Sequence, residues 1–299
     1  MPDYMDVTTN AAVIPTIIAA ETLGALASNM MLLGIVNRDY DTELASYGDR
    51  VTVGVRGALS ANDKTAGSNV TIQDPTTTGK TVILDKHKEV TWGEEDIAIM
   101  QSRPSLMSDY AEDAALALLE QIEADIAALY SGFAQTIDAT SAFNKSKFKE
   151  AQRLMNAAKV PLANRWAVLH EDAYADATDI TELVHADYQG PAAFEAVQNG
   201  LLGRLNGFNV VLDQNVAVAA TECKNLFMHR NAAALVTRPM RQTDRQNVEQ
   251  VVMSEHNIAL RVTSSYNADA LAEQMTIDVL YGVAELRDNH GIVMRTTEA

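Results

Sequence analysis

Between Asp49 and Trp92 two stretches alternate apolar and polar residues around a turn-rich insert, the signature of a long two-stranded ribbon. In Asp49–Arg56, Val51, Val53 and Val55 fall on one face, with Thr52, Gly54 and Arg56 on the other. The return stretch, Lys80 to Trp92, places Val82, Leu84, Val90 and Trp92 on one face and Asp85, His87 and Glu89 opposite. The insert, Ala61 to Gly79, holds Asn62-Asp63, Gly67-Ser68-Asn69, Asp74-Pro75 and Gly79, residues that favour turns. About a dozen residues per strand at ~3.4 Å each give a ribbon roughly 40 Å long. An isolated ribbon is marginal in water and its edges invite pairing. It must therefore either fold back on its own domain or lie on another copy of the chain.

A long helix is expected next. Arg103-Pro104-Ser105 opens it, with proline where a missing N–H costs little. Leu106, Tyr110, Ala114, Leu118, Ile122, Ile126 and Tyr130 recur at spacing four, flanked by Met107, Ala111 and Leu129, and Gly132 closes it. Pro104 to Tyr130 at ~1.5 Å per residue is about 40 Å. Its charges, Asp109, Glu112, Asp113, Glu120, Glu123 and Asp125, are all acidic, and the first five share one narrow arc opposite the apolar side. Two readings stay open: a solvated face, or a face kept negative to meet basic segments or repel an anion.

Downstream, helical and strand patterns follow in mixed order. Phe148, Ala151, Leu154, Met155 and Ala158 mark an amphipathic helix from Ser146 to Val160, stopped near Pro161. Arg165 to His170 reads as a buried strand, Glu171 to Asp179 as an acidic loop or helix, and Thr181 to Pro191 as loop. Phe208–Leu212 and Leu226–Met228 read as strands, Ala232–Val236 as helix or strand, and Val248–Val262 as strand-rich. With no regular βαβ repeat, the fold class is α+β.

This order resembles the major capsid proteins of tailed phages, the Hong Kong 97-type fold. The resemblance spans nearly the whole chain. Its local echoes are Ile14–Glu21 and Val36–Tyr40 near the start, the glycine-spaced Gly200–Val211, Asn225–Val236 as a strand and helix, and Asp278–Arg287 as the closing segment. It implies an N-terminal arm over 1–48, an extended hairpin (E-loop) over 49–96, and a peripheral domain with its spine helix over 97–135. An axial domain would cover 136–245, and return strands 246–299 would complete both domains. It further implies a non-enzymatic chain that builds hexamers and pentamers of itself into an icosahedral head around double-stranded DNA. Scaffolding, portal and decoration proteins are the expected partners, and the host cytoplasm the place of assembly. The nearest alternative is an encapsulin-like nanocompartment shell. Some relatives join subunits through a lysine–asparagine isopeptide bond. Lys64, Lys80, Lys86 and Lys88 lie on this arm, but no motif selects one or fixes its partner, and noncovalent contacts are expected.

Composition is compatible with that reading. The chain has 299 residues, 47% of them hydrophobic, enough for a substantial core. Its net charge of −17 argues against a general nucleic-acid binder and suits a wall that must not adhere to packed DNA, although solubility alone explains it too. One cysteine, Cys223, precludes an intrachain disulfide. The N-terminus lacks a basic leader, carrying Asp3 and Asp6, and Thr22–Asn37 is too short and polar to span a bilayer, so no membrane partner is expected. Ile14, Ile17, Ile18, Leu23, Leu26 and Met30 suggest a segment that docks on protein.

Signs of chemistry are sparse. Asp74–Thr81 imitates a phosphate loop, but Asp74 replaces the first glycine and a strand, not a helix, follows. Gly200, Gly203 and Gly207 precede a strand and lack dinucleotide spacing, so turns explain them. His170, Glu171, Asp172 and Asp176 could form a metal or acid–base site, the basis for a rival metal-dependent hydrolase. They have no coordination motif, and His185, His229, His256 and His290 are scattered. Cys223 reads as a small hydrophobe. No catalytic residue, cofactor or metal ligand is assigned.

Overall fold

A computed structural model describes residues 31–40, 50–57, 59–75, 77–96, 106–139, 143–180, 203–219, 221–238, 240–241, 248–255 and 258–297. The segments Ile14–Glu21 and Thr181–Pro191 lie outside them. Four helices, α1 (Met31–Ile35), α2 (Leu106–Ala127), α3 (Lys145–Ala157) and α4 (Glu171–Thr178), accompany three sheets among these residues.

The first sheet is the arm, in which β1 (Arg50–Arg56) pairs antiparallel with β2 (Thr77–Ile83). Here the structure departs from the expected ribbon, because the return stretch is two strands rather than one. Pairing with β1 ends at Ile83, and β3 (Lys86–Glu95) leaves the arm to pair with β13 (Ala272–Glu285), Trp92 opposite Met275. The alternation is real on both sides of the break, since even-numbered β3 residues face inward throughout. Periodicity reports facing but not the identity of the partner strand.

β13 organises the second sheet. It takes β3 along one edge, and β12 (Ile258–Asn267) followed by β10 (Ala233–Arg238) along the other. β11 (Val248–Glu255) closes this sheet as a hairpin with β12. Gly282 sits where β13 passes under the arm, and a Cβ there would stand 2.0 Å from the Ile83 carbonyl oxygen. Backbone meets backbone at that point, which only glycine permits.

The third sheet runs β4 (Gln135–Ala139), β14 (Gly291–Thr297), β9 (Glu222–His229), β5 (Arg165–Leu169), β7 (Phe208–Leu212) and β6 (Arg204–Leu205), with β8 (Val218–Ala219) on β9. The β4–β14 and β5–β7 pairs are parallel and the rest antiparallel. Asn206 and Gly207 join β6 to β7 with φ of 50° and 89°, the left-handed pair of a tight hairpin. Glycine 207 is thus a turn residue, as expected.

This sheet is buried on both faces. Ala167, Leu169, Val210, Phe227, Ile292 and Met294 face α3 and α4 in one apolar cluster, while Val168, Leu226, Met228 and Val293 face α1 and α2 in another. Double-sided burial explains why Trp166–Leu169 of β5 and Leu226–Met228 of β9 are unbroken apolar runs. Phe227 anchors the first cluster, meeting Phe148 and Phe208 edge-on at 5.3 and 5.1 Å. The second cluster continues across α2 onto Leu260, Val262, Ile277 and Val279, so α2 welds the two large sheets together. Of the two readings of Ala232–Val236, helix or strand, the structure has the strand: a 3-10 turn (Arg230–Ala232) leads into β10, where the resemblance implied a helix.

Candidate assembly interface

The arm is anchored at its base and unsupported beyond it. Val51 and Val82 are buried against Ala234, Val236 and Leu286, with Val53 and Leu84 packed beside them. From Arg56 to Thr81 the described residues are all exposed apart from Gln73. Leu59, Val70 and Ile72 stand 66%, 70% and 89% exposed, the largest apolar side chains on the distal arm. The tip is nevertheless ordered by its own polar contacts. Gln73 Oε1 accepts the Ser60 amide at 2.9 Å, and its amide nitrogen donates to the Ser60 carbonyl. Lys64 donates to the carbonyls of Thr65 and Ser68, and the Ser68 amide closes a turn on Thr65 O at 3.2 Å. An arm that holds its shape while presenting apolar side chains and open backbone edges is built to receive a partner surface.

Charged groups lock the arm's root to the body. Lys80 reaches Glu285 at 3.5 Å. Lys86 meets Asp125 of α2 at 2.9 Å, and the Tyr281 hydroxyl donates to the same carboxylate at 2.6 Å. Burial alone would raise the Asp125 pKa, but the Tyr281 hydroxyl and the Lys86 ammonium outweigh it and hold that carboxyl below its usual range. Three pairs further along the β3–β13 ladder, Asp278 is buried at the centre of the second sheet, where Arg261 grips both its oxygens at 2.9 and 2.7 Å and His87 contacts Oδ2 at 2.7 Å. This bidentate clamp ties β12, β13 and β3 at one point.

The acidic arc expected on α2 divides. Asp113 and Glu120 are exposed, as a solvated face requires. Glu123 instead lies 3% exposed at the seam with α1 and the loop after β7. Its Oε1 accepts the Met31 amide at 3.2 Å, and its Oε2 accepts the Asn215 side chain at 2.7 Å. Burial, and then the nearby Asp213 carboxylate, push its pKa up to about 7. Helical spacing placed Glu123 within the arc; what spacing could not show is that α1 covers it there.

The residues singled out for chemistry separate likewise. Asp176 is committed to the Phe143 amide at 2.8 Å, and Glu171 is exposed. His170 and Asp172 come together, not with Asp176 but with Cys223 from β9. His229 and His290, distant in sequence, stand edge-to-face at 5.5 Å. Burial, with help from neighbouring arginines, lowers both pKa values, that of His290 to about 4. Thr77–Thr81 of the apparent phosphate loop is the exposed strand β2, with no helix at its end. No described helix is long and apolar enough to cross a membrane.

Neither a protein-family model nor a curated protein matches the chain. Solved structures do. A structure from Mycobacterium phage Che8 superposes with a TM-score of 0.66 at 22% identity, covering 89% of this chain and 91% of the other. The capsid of cyanophage P-SCSP1u superposes at 0.62 with 13% identity, covering 85% of each chain. The mature capsid of bacteriophage PhiM1 gives 0.59 at 12% identity, covering 86% and 84%. The chain therefore has the mixed helix-and-sheet fold of phage capsid proteins, and that likeness runs almost end to end in both directions.

Proposed function

We propose that this chain is the major capsid protein of a tailed phage, assembling through hexamers and pentamers into an icosahedral head around double-stranded DNA. One observation carries the proposal beyond fold: the anchored, ordered arm, whose distal apolar side chains and strand edges have no counterpart among the described residues. In the assembled state the arm lies across the adjacent subunit, which supplies those contacts. On the Hong Kong 97-type plan, 49–96 carries the arm, α2 is the spine of the peripheral domain, and the third sheet with α3 and α4 forms most of the axial domain. The excess negative charge keeps the wall from adhering to packaged DNA, which is a neighbour and not a ligand. Scaffolding, portal and decoration proteins complete the list of partners, and the head is built in the host cytoplasm. The nanocompartment alternative has no observation of its own, and of the four residues posited for hydrolysis only His170 and Asp172 come together, Asp176 being held by the Phe143 amide.

Sedimentation and negative-stain microscopy of the purified chain test this directly. Closed uniform shells, or rings of five and six, are expected. A monomer that persists under crowding and with scaffold supplied would overturn it.

A further inference from the structure

The turn from β5 into α4 meets the start of β9 around three different ligand types. His170 caps α4, its Nδ1 accepting the Asp172 amide at 3.4 Å and standing 3.5 Å from Asp172 Oδ2. Cys223 enters from β9, and one ligand atom from each of the three residues lies within 4.8 Å of the others. His170 and Cys223 are buried and Asp172 is partly open, so the group has one side toward solvent.

The surroundings are polar and fixed. Cys223 is fully buried, as a small hydrophobe would be, but lies outside the three apolar clusters. Asn225, on the same face of β9, accepts the His170 amide at 2.7 Å and donates to Thr296 Oγ1 at 2.8 Å. Thr296 in turn pairs directly across the sheet from Cys223. Buried hydrogen bonds of this kind hold ligands in place around a metal.

We propose that His170, Asp172 and Cys223 form a binding site for a zinc-type divalent transition-metal ion, with water from the open side as the fourth ligand. A thiolate, an imidazole nitrogen and a carboxylate oxygen are the borderline-soft set such ions take, whereas magnesium and calcium prefer oxygen alone. Metal–ligand bonds of about 2.0–2.3 Å in a tetrahedron put ligand atoms roughly 3.3–3.8 Å apart. The His170–Asp172 separation already falls there, and side-chain rotation closes the rest. Nδ1 is the acceptor in the helix cap and so carries the lone pair a metal needs; the ion displaces that long cap bond. On binding, the Cys223 thiol releases its proton to solvent, and thiolate plus carboxylate neutralise the dication. That neutrality is what a largely buried site demands. The ion would clip the start of β9 to the β5–α4 turn. It lies within one chain, so the proposal stands or falls independently of shell assembly.

Cobalt(II) titration of the full-length chain, stripped with chelator, provides the test. One equivalent should produce a thiolate-to-cobalt charge-transfer band with intense visible absorption of tetrahedral type. The chain has a single cysteine, so any such band reports Cys223. His170→Asn keeps a good helix cap but loses the imidazole, and Asp172→Asn alters a partly exposed side chain, so both variants should fold. Each should weaken cobalt binding by about tenfold or more. Zinc should raise the Tm of the native chain and not that of Cys223→Ser. Absence of the thiolate band at stoichiometric cobalt, or unchanged affinity in both His170→Asn and Asp172→Asn, would overturn the site.

Discussion

Glu123 carries a charge problem that its neighbours only half solve. The Met31 amide and the Asn215 side chain satisfy its oxygens, yet burial and Asp213 favour the protonated form and lift its pKa from 4.5 to about 7. The folded chain therefore binds a proton more tightly than the unfolded chain between those values, and stability falls as pH rises through that window. Below pH 4.5 both states are protonated and the penalty vanishes; above pH 7 it is fully present, on the order of 3 kcal/mol. Glu123→Gln keeps an acceptor for Met31 and removes the repulsion with Asp213. Thermal melts should show that variant more stable than the native chain at pH 8 and nearly equal to it at pH 5. A Gln variant less stable at pH 8 would contradict this account of the seam. No sequence signal marked Glu123, because its helical position matches its solvated neighbours and the cover comes from a segment 92 residues away. The pairing of His170 with Cys223 was hidden for the same reason, whereas the interior faces of α3, with Phe148, Ala151 and Met155 buried, were fully legible.

At the scale of elements, the arm divides into a root that belongs to the body and a distal part that does not. Val51 and Val82 make the root a portion of the core, while Val70 and Ile72 touch little of their own chain. Replacing both distal residues, Val70→Asp with Ile72→Asp, should leave the monomer's thermal stability within about 0.5 kcal/mol, as for exposed positions generally. Assembly is where the substitutions should tell, since they place two carboxylates in the surface offered to a neighbour. Circular dichroism melts and sedimentation separate these effects; shells of normal yield from the double variant would remove the arm's apolar residues from the interface. Alternation along β1, β2 and β3 was plain in the sequence, as was the length of α2. The break at Leu84–Asp85 was not, because two strands in different sheets can keep the same inward parity across a short bend. The expected 40 Å ribbon is accordingly shorter, with seven paired residues per strand. β13 was seen only in part, since Asp278–Arg287 drew notice as a motif while Ala272–Ile277, with alternate polar residues, sits on the same strand.

For the whole molecule, the mixed order of patterns excluded regular α/β architectures and the structure is indeed α+β, with α2 joining two large sheets into one body. The pairing of β14 between β4 and β9 lay beyond sequence reading, because nothing local tells a C-terminal strand which interior edge it will fill. An end-to-end likeness to phage capsid chains at identities of 22% and below shows that many sequences satisfy this packing. Among the described residues the body buries its own core and the distal arm does not, and on the proposed function a neighbouring copy completes the arm. Cryo-electron microscopy of assembled particles addresses that claim most directly. The arm over residues 50–83 should lie across the adjacent subunit, with Leu59, Val70 and Ile72 buried beneath it or against it. Particles in which those side chains stay in solvent, or in which the arm folds back on its own subunit, would contradict the account.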